Sequence, residues 1–216
     1  MNRQECLFPL KMKMEAKIER TLKSLRKHGF EAEAVANRAE CLARLLELVP
    51  IGATVGIPGS RTVRQTGIVE ALQARGEEVF DHWTAADEDS LAVRKSQLNC
   101  DVLLVSTNAL TEQGELVNRD GIGNRVAAMV FGPRQVVVVA GKNKLVPDLE
   151  AAEERIKKIA APRRAKELKL RTPCVKAGEC RDCNHVQRIC RATVVLHRRP
   201  SLTPIRVIVV NEDLGN

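Results

Sequence analysis

The run "QVVVVAG", residues 135–141, decides the fold class of this chain. It is apolar almost without interruption, whereas a strand with one solvated face alternates apolar and polar residues. Two further runs, "ATVGI" (53–57) and "DVLLVST" (101–107), have the same character. Segments with helical spacing of apolar residues surround them, the first over residues 10–28. This alternation predicts an α/β fold with a largely parallel sheet and helices on both faces.

The C-terminal quarter differs in composition. Residues 155–171 hold eight basic residues and one Glu, a net charge of +7 out of +8 for the whole chain. A cysteine cluster follows, and then two strand-like runs, "TVVLHRR" (193–199) and "IRVIVV" (205–210). These runs fit either a separate module or a hairpin added to the main sheet. We expect an α/β domain over residues 1–165 and a cysteine-rich, metal-binding extension over residues 166–216.

Composition narrows the classes of function and location. Aromatic residues are only 2% of the chain and Tyr is absent, so the stacking platforms of single-stranded nucleic-acid binders are missing. The basic segment alone carries no nucleic-acid-binding motif, which argues against that partner. No apolar stretch reaches the roughly 18 residues of a membrane span, and the N-terminus lacks a signal-peptide pattern. We therefore expect a cytoplasmic protein whose clustered thiols serve metal or redox chemistry.

Polar loops follow three of the predicted strands. Because parallel strands place their carboxyl ends at one edge of a sheet, these loops should converge there on a single ligand. Backbone N–H groups at helix starts and the cationic side chains suit a phosphate or carboxylate, and thus an anionic small molecule. The alternative is that "GIPGS" (56–60) is only a tight turn between strand and helix. The predicted ligand-binding residues are Gly56, Gly59, Ser60, Thr62, Asn108, Asn124, Arg125 and Lys144.

Two carboxylates lie near the same predicted edge. Glu112 and Glu115 are weak candidates for a general base or nucleophile, with solvated turn residues as the alternative. No catalytic constellation of Ser, His and Asp is evident in the sequence.

Four thiols lie within seventeen residues, at Cys174, Cys180, Cys183 and Cys190. Four thiolates hold either a [4Fe–4S] cluster or a tetrahedral zinc ion. The irregular spacing C-x5-C-x2-C-x6-C contains only one zinc-type C-x2-C pair and favours the cluster. Redox-sensing or incidental thiols are the remaining alternative, and His185 is a candidate to replace one ligand. Neighbouring basic residues would offset the negative charge of the thiolates.

The other three cysteines, Cys6, Cys41 and Cys100, are isolated in the sequence. Cys41 falls on a predicted helix and Cys100 beside a predicted strand. We expect both to be small core residues.

Three stretches resemble one known family. "GIPGSRTVRQTGI" (56–68), the block from "STNALTEQGELVN" to "GKNKLV" (106–146) and "VIVVNEDLG" (207–215) are similar to the LUD domain of lactate-utilisation proteins, in its branch with a C-terminal four-cysteine motif. The resemblance covers roughly residues 10–216.

The resemblance implies a fold like that of ribose-5-phosphate isomerase, glucosamine-6-phosphate deaminase and CoA transferases. It also implies a role in the oxidation of lactate to pyruvate, beside iron–sulfur and FAD-type subunits. One hypothesis is a redox component with an anion site and a [4Fe–4S] cluster. The other is a non-enzymatic scaffold or regulatory subunit with a structural zinc site.

Overall fold

The computed structural model describes residues 3–216, with side chains from residue 12 onward. Cys6 therefore lies outside the described side chains. In the described residues no helix is both long enough and apolar enough to cross a membrane.

Six parallel strands form the larger sheet: β1 Glu31–Val35, β2 Val55–Gly56, β3 Val79–Phe80, β4 Val102–Val105, β7 Gln135–Gly141 and β10 Ile205–Val210. Their order is β1-β10-β7-β4-β2-β3. Four other strands form a smaller mixed sheet: β5 Ala109–Thr111, β6 Leu116–Asp120, β8 Leu145–Val146 and β9 Ala192–Leu196. Their order is β8-β5-β6-β9, with β5 and β6 joined as an antiparallel hairpin.

The described helices are α1 Arg3–Lys27, α2 Arg38–Leu48, α3 Arg61–Arg64, α4 Ile68–Ala74, α5 Ser90–Ser96, α6 Asn124–Val130, α7 Leu149–Arg155, α8 Ala161–Glu167 and α9 Pro173–Ala177. A 3-10 turn covers Lys142–Lys144, and a π-helical segment covers Ile156–Ala160 between α7 and α8.

The larger sheet is buried on both faces, as its apolar runs predict. Alternate residues of β7 point to opposite sides because the side-chain period of a strand is two. Val136 and Val138 join a core with α1, α6 and the smaller sheet. Val137 and Val139 join a second core with α2, α3 and α4. The prediction of an α/β fold with a largely parallel, two-sided sheet is confirmed.

The C-terminal strand β10 lies inside the larger sheet, second from one edge. β10 pairs with β1 on one side and with β7 on the other, and five of its six residues are buried. β9 pairs with β6 in the smaller sheet, so the two C-terminal strands do not form a hairpin with each other. The expected boundary at residues 165 and 166 thus coincides with no break in either sheet, because a run as apolar as "IRVIVV" requires neighbours on both edges and both faces.

Two local predictions from the sequence are wrong. The pattern of residues 62–76 predicts one helix capped at Thr62, but the segment divides into α3 and α4 at Gly67, whose φ is 81°. The N-cap of α3 is Ser60, whose side chain accepts the N–H of Val63. The basic segment after Pro162 predicts a linker, but it begins in the helix α8, which continues directly from the π-helical segment Ile156–Ala160.

Candidate functional site

A cleft of about 440 Å³ opens at the carboxyl edge of β2 and β4. The loops after these strands, the start of α6 and the turn after β7 all contribute to its walls. The structure brings together seven of the eight predicted ligand residues as lining groups: Gly59, Ser60, Thr62, Asn108, Asn124, Arg125 and Lys144. The expectation that these loops converge agrees with this placement, which follows from the parallel pairing of the strands.

Gly56 has a different role from the one expected. It lies within β2, is buried and does not line the cleft. A Cβ atom added there would lie 2.8 Å from Cys100 Sγ and 3.0 Å from Leu103 Cδ1. The absence of a side chain therefore permits close packing inside the core rather than close approach to a ligand.

The two candidate carboxylates lie away from the cleft, on the β5–β6 hairpin. Glu112 pairs with Arg20 at 2.9 Å and with Lys17 at 3.5 Å. Glu115 accepts from the Thr111 hydroxyl at 2.8 Å and lies 3.1 Å from His197 Nδ1. Neither lines the cleft. Their contacts tie the hairpin to α1 and to the segment after β9, which supports a structural role for both.

Lys144 is buried in the wall of the cleft, with 4% of its surface exposed. Its Nζ donates to Thr62 Oγ1 at 2.6 Å and to Ser106 Oγ at 2.8 Å. Within the described residues no carboxylate lies at salt-bridge distance from Lys144 Nζ. Burial, aided by the positive charges of Arg155 and Arg125, lowers the pKa of Lys144 well below its ordinary value.

Arg125 lines the cleft, but its guanidinium already donates hydrogen bonds to acceptors within the protein. It donates to the Ser106 carbonyl at 3.0 Å and the Asn118 amide oxygen at 2.6 Å. It also donates to Asn108 Oδ1 at 3.1 Å and the Arg119 carbonyl at 2.9 Å. These bonds identify Arg125 as the organiser of the cleft wall rather than a free ligand for an anion.

The same network orients Asn108 and Asp120. Asn108 Oδ1 accepts both from Arg125 and from the Arg119 N–H, at 2.8 Å for the latter. Because both lone pairs of that oxygen are used, the Nδ2 group is the part of the amide left for a ligand. Asp120 Oδ1 accepts two backbone N–H groups at 3.2 Å, whereas its buried Oδ2 has no hydrogen-bond partner in the described chain and lies 3.5 Å from Arg125 Nε.

Helix starts contribute less than expected. α3 has only four residues, and the Ser60 hydroxyl already accepts the N–H of Val63. Such a short helix has a weak dipole and few free amides. Side chains, rather than backbone amides, therefore dominate the electrostatics of the cleft.

Arg94 of α5 supplies a further cation that is not among the predicted ligand-binding residues. It lines the cleft and donates to the backbone carbonyl of Ser90 at 2.9 Å and to the hydroxyl of the same residue. Its Nε is buried without a partner in the described residues. By contrast, Arg119 pairs with Glu153 at 2.7 Å. Helical patterning alone shows Arg94 only as a polar position, so no sequence signal singled it out.

His82 and Trp83, after β3, form another part of the wall. Gln97 Nε2 donates to the carbonyls of Ile57 and Phe80, and it lies 3.2 Å from His82 Nδ1. An amide nitrogen does not accept hydrogen bonds, so this contact assigns the proton of the neutral imidazole to Nε2. Burial first and the charge of Arg94 second lower the pKa of His82, so the ring is neutral near pH 7.

Two guanidinium groups lie over the Trp83 ring at the cleft. Arg64 Cζ and Arg164 Cζ are each 4.6 Å from the ring centroid. Arg64 also pairs with buried Asp81. These cation–π contacts connect the loop after β3 to α3 and α8.

The four clustered cysteines lie on α9 and on the irregular segment before β9, and all are partly buried. Arg188 donates to the carbonyls of Cys183 and Cys190, and the Asp182 N–H donates to Cys180 Sγ at 3.4 Å. Their chemistry suits iron–sulfur or zinc. Yet in the part of the chain that the structure describes, no three His, Cys, Asp or Glu side chains converge closely enough to hold a metal ion.

This cysteine segment also touches the cleft. Ile189 lines the cleft and packs on Gly121, where an added Cβ would lie 3.1 Å from Ile189 Cα. The Arg191 N–H donates to the Asp120 carbonyl at 2.9 Å. The two predicted sites are therefore neighbours, a relationship that the sequence did not reveal.

Two of the isolated cysteines behave as predicted. Cys41 and Cys100 are buried in the two opposite cores. Burial raises the pKa of the Cys41 thiol to about 12 and that of Cys100 to about 11, so both stay protonated and unreactive.

One family model and one solved structure support the family and the fold, respectively. The model of the LUD domain matches residues 18–210. A crystal structure of a DUF162 family protein from Deinococcus radiodurans is 12% identical, with a TM-score of 0.55, over 92% of this chain and 98% of that one. Ribose 5-phosphate isomerase from Plasmodium falciparum is 15% identical, with a TM-score of 0.32, over 51% of this chain and 52% of that one. Among curated proteins, none matches.

Proposed function

This chain belongs to the LUD domain family, which is associated with lactate utilisation, and we propose that its cleft binds a small organic anion in that process. The observation that carries the proposal is Arg94, a guanidinium lining the cleft with no carboxylate at salt-bridge distance in the described residues. A partly buried cation without a counter-ion attracts an anionic ligand, since the ligand supplies the missing charge.

The remaining groups suit a carboxylate. The Asn108 Nδ2 group and the neutral His82 ring with its Nε2 proton are donors in the same cleft. Lactate and pyruvate each carry one carboxylate and a second oxygen, and these donors match that pattern. A phosphate is the competing anion.

Intrinsic fluorescence tests this proposal directly. Trp83 is the only tryptophan, Tyr is absent, and the indole lies in the cleft wall. Titration with lactate, pyruvate and inorganic phosphate should change its emission in a saturable way, whereas uncharged lactamide should not. A flat response to all three anions contradicts the proposal.

Arg94→Gln is the matching variant. Losing a charge-assisted contact of about 1.5–3 kcal/mol should weaken binding by roughly 10- to 100-fold. Lys95→Gln removes the same charge from the next residue, which is exposed and outside the cleft, and should leave affinity unchanged. Equal effects of the two variants would indicate only a general charge effect.

The second part of the proposal concerns Cys174, Cys180, Cys183 and Cys190, which we assign to a [4Fe–4S] cluster. Four thiols with one C-x2-C pair, and the N–H donor to Cys180 Sγ, support this assignment. A bound cluster would supply one-electron redox chemistry beside the cleft, consistent with a component of lactate oxidation. Binding would require the segment from α9 to β9 to draw the four sulfurs together.

Anaerobic purification tests the cluster. We expect broad visible absorption, iron and acid-labile sulfide, all lost in Cys183→Ser. Cys41→Ser is the control, because that thiol is buried in the core far along the chain from the cluster. A colourless protein with zinc and no sulfide would instead support the scaffold or regulatory subunit.

A further inference from the structure

We propose that Lys144 is a nucleophilic amine that forms an imine with the carbonyl group of a 2-oxo acid bound in the cleft. This inference rests on the proposed anion site and names both its substrate class and a catalytic residue. The supporting facts are the position of Lys144 in the cleft wall, the identity of its two partners and the charges around it.

The hydrogen bonds of Lys144 favour a neutral amine. Its Nζ donates to two hydroxyl oxygens, those of Thr62 and Ser106. An ammonium ion would carry a third N–H, and no third acceptor is found in the described residues. A neutral amine has two N–H groups, both satisfied, and one lone pair that remains free. Leaving a buried charged donor unsatisfied costs free energy, so the geometry selects the neutral form.

The charges around Lys144 also favour the neutral amine. The charged groups that act on Lys144 are the guanidinium ions of Arg155 and Arg125, and no described carboxylate pairs with its Nζ. Arg155 itself is fixed by the carbonyls of Asn143 and Asn108. Fixed positive charge disfavours a second cation and, at the same time, favours the carboxylate of an incoming 2-oxo acid. A desolvated lysine beside cationic groups is a recognised arrangement for an amine nucleophile.

The reaction balances without an oxidant or metal. The Lys144 lone pair attacks the carbonyl carbon, the C=O π pair moves to oxygen, and one N–H proton transfers to that oxygen to give a carbinolamine. The second N–H proton then leaves with the hydroxyl group as water, and a C=N double bond remains. Thr62 and Ser106 each bear a hydroxyl able to relay these protons. A hydroxy acid such as lactate has no carbonyl carbon and cannot react in this way.

Reductive trapping tests the inference. The full-length protein is incubated with pyruvate and sodium borohydride, digested, and mapped by mass spectrometry. We expect the reduced adduct on the peptide containing Lys144, with exposed lysines at the background level found with lactate. Lys144→Met should lose the adduct, whereas Lys142→Met, two residues away and outside the cleft, should keep it.

The fluorescence titration distinguishes failure of anion binding in the cleft from failure of imine formation on Lys144. If pyruvate binds saturably but no adduct forms on Lys144, the imine is refuted and the anion site stands. If no anion binds, both fail. Labelling spread evenly over surface lysines, with none enriched at Lys144, also overturns the imine. Mapping of the wild-type chain gives these answers even if Lys144→Met does not fold.

Discussion

Replacing Arg125 by alanine should destabilise the entire protein rather than only weaken ligand binding. The side chain is 14% exposed and donates four hydrogen bonds to groups of the cleft wall, besides its contact with Asp120. Truncation would remove the donor to the amide oxygen of buried Asn118 and one of the two donors to that of Asn108. It would also leave the Asp120 carboxylate without its neighbouring cation.

The magnitude follows from the nature of these contacts. A single hydrogen bond to a charged group is worth about 1.5–3 kcal/mol, but bonds that share one donor are not additive. Removing one partner from a buried ion pair costs about 3–5 kcal/mol. We therefore expect Arg125→Ala to lower the free energy of unfolding by about 3–5 kcal/mol.

Urea unfolding followed by Trp83 fluorescence measures this change. Arg134→Ala is the control, because Arg134 is 87% exposed and lies 3.5 Å from Asp101. An exposed ion pair contributes at most about 1 kcal/mol, so this variant should unfold nearly as the wild type does. A loss below about 1 kcal/mol for Arg125→Ala, combined with lost anion binding, would refute the reasoning and make Arg125 a direct ligand.

Two further predictions concern the cleft wall. The pKa of Lys144 is lower in the folded protein than in the unfolded chain. Between the folded pKa and the unfolded value of about 10.4, the unfolded chain therefore binds more protons. Stability should rise with pH across this range. In urea unfolding at several pH values, wild type should therefore gain stability relative to Lys144→Met as pH rises, and a constant difference contradicts this. Gly59→Ala should lower the free energy of unfolding by roughly 1–2 kcal/mol because the φ of residue 59 is 71°. The new Cβ would also lie 2.8 Å from Nε1 of Trp83, and this clash should lower stability further. Gly52→Ala, at a φ of 78° with open space around it, isolates the backbone cost, and equal losses in the two variants would exclude the steric contribution.

Much of the cleft could be predicted because parallel strands place the loops that follow them at one edge of the sheet. The sequence predicts that the loops after β2, β4 and β7 meet, and the structure places residues of all three in one cleft. The roles of individual side chains could not be predicted in the same way. Ser60 caps a helix and Arg125 is saturated by protein acceptors, since a side chain's free hydrogen-bonding capacity depends on neighbours distant in sequence.

His82, Arg94 and Asp120 entered the cleft from segments that showed no pattern of their own. Each is a single polar residue on a loop, a short helix or a strand end, and single residues carry no periodicity. Only the pairing of β3 with β2 in the larger sheet, and the packing of α5 against β3, place His82 and Arg94 beside the loop after β2.

The sequence by itself determined the class of fold. Uninterrupted apolar runs such as "QVVVVAG" have one stable environment, a strand covered on both faces, and that constraint is local. Tertiary structure alone decided the order of the strands, with β10 inserted between β1 and β7, and the contact between the cysteine segment and the cleft. The physical reason is that hydrophobic patterning fixes which face of an element is buried, whereas its neighbours are chosen by long-range pairing and side-chain packing.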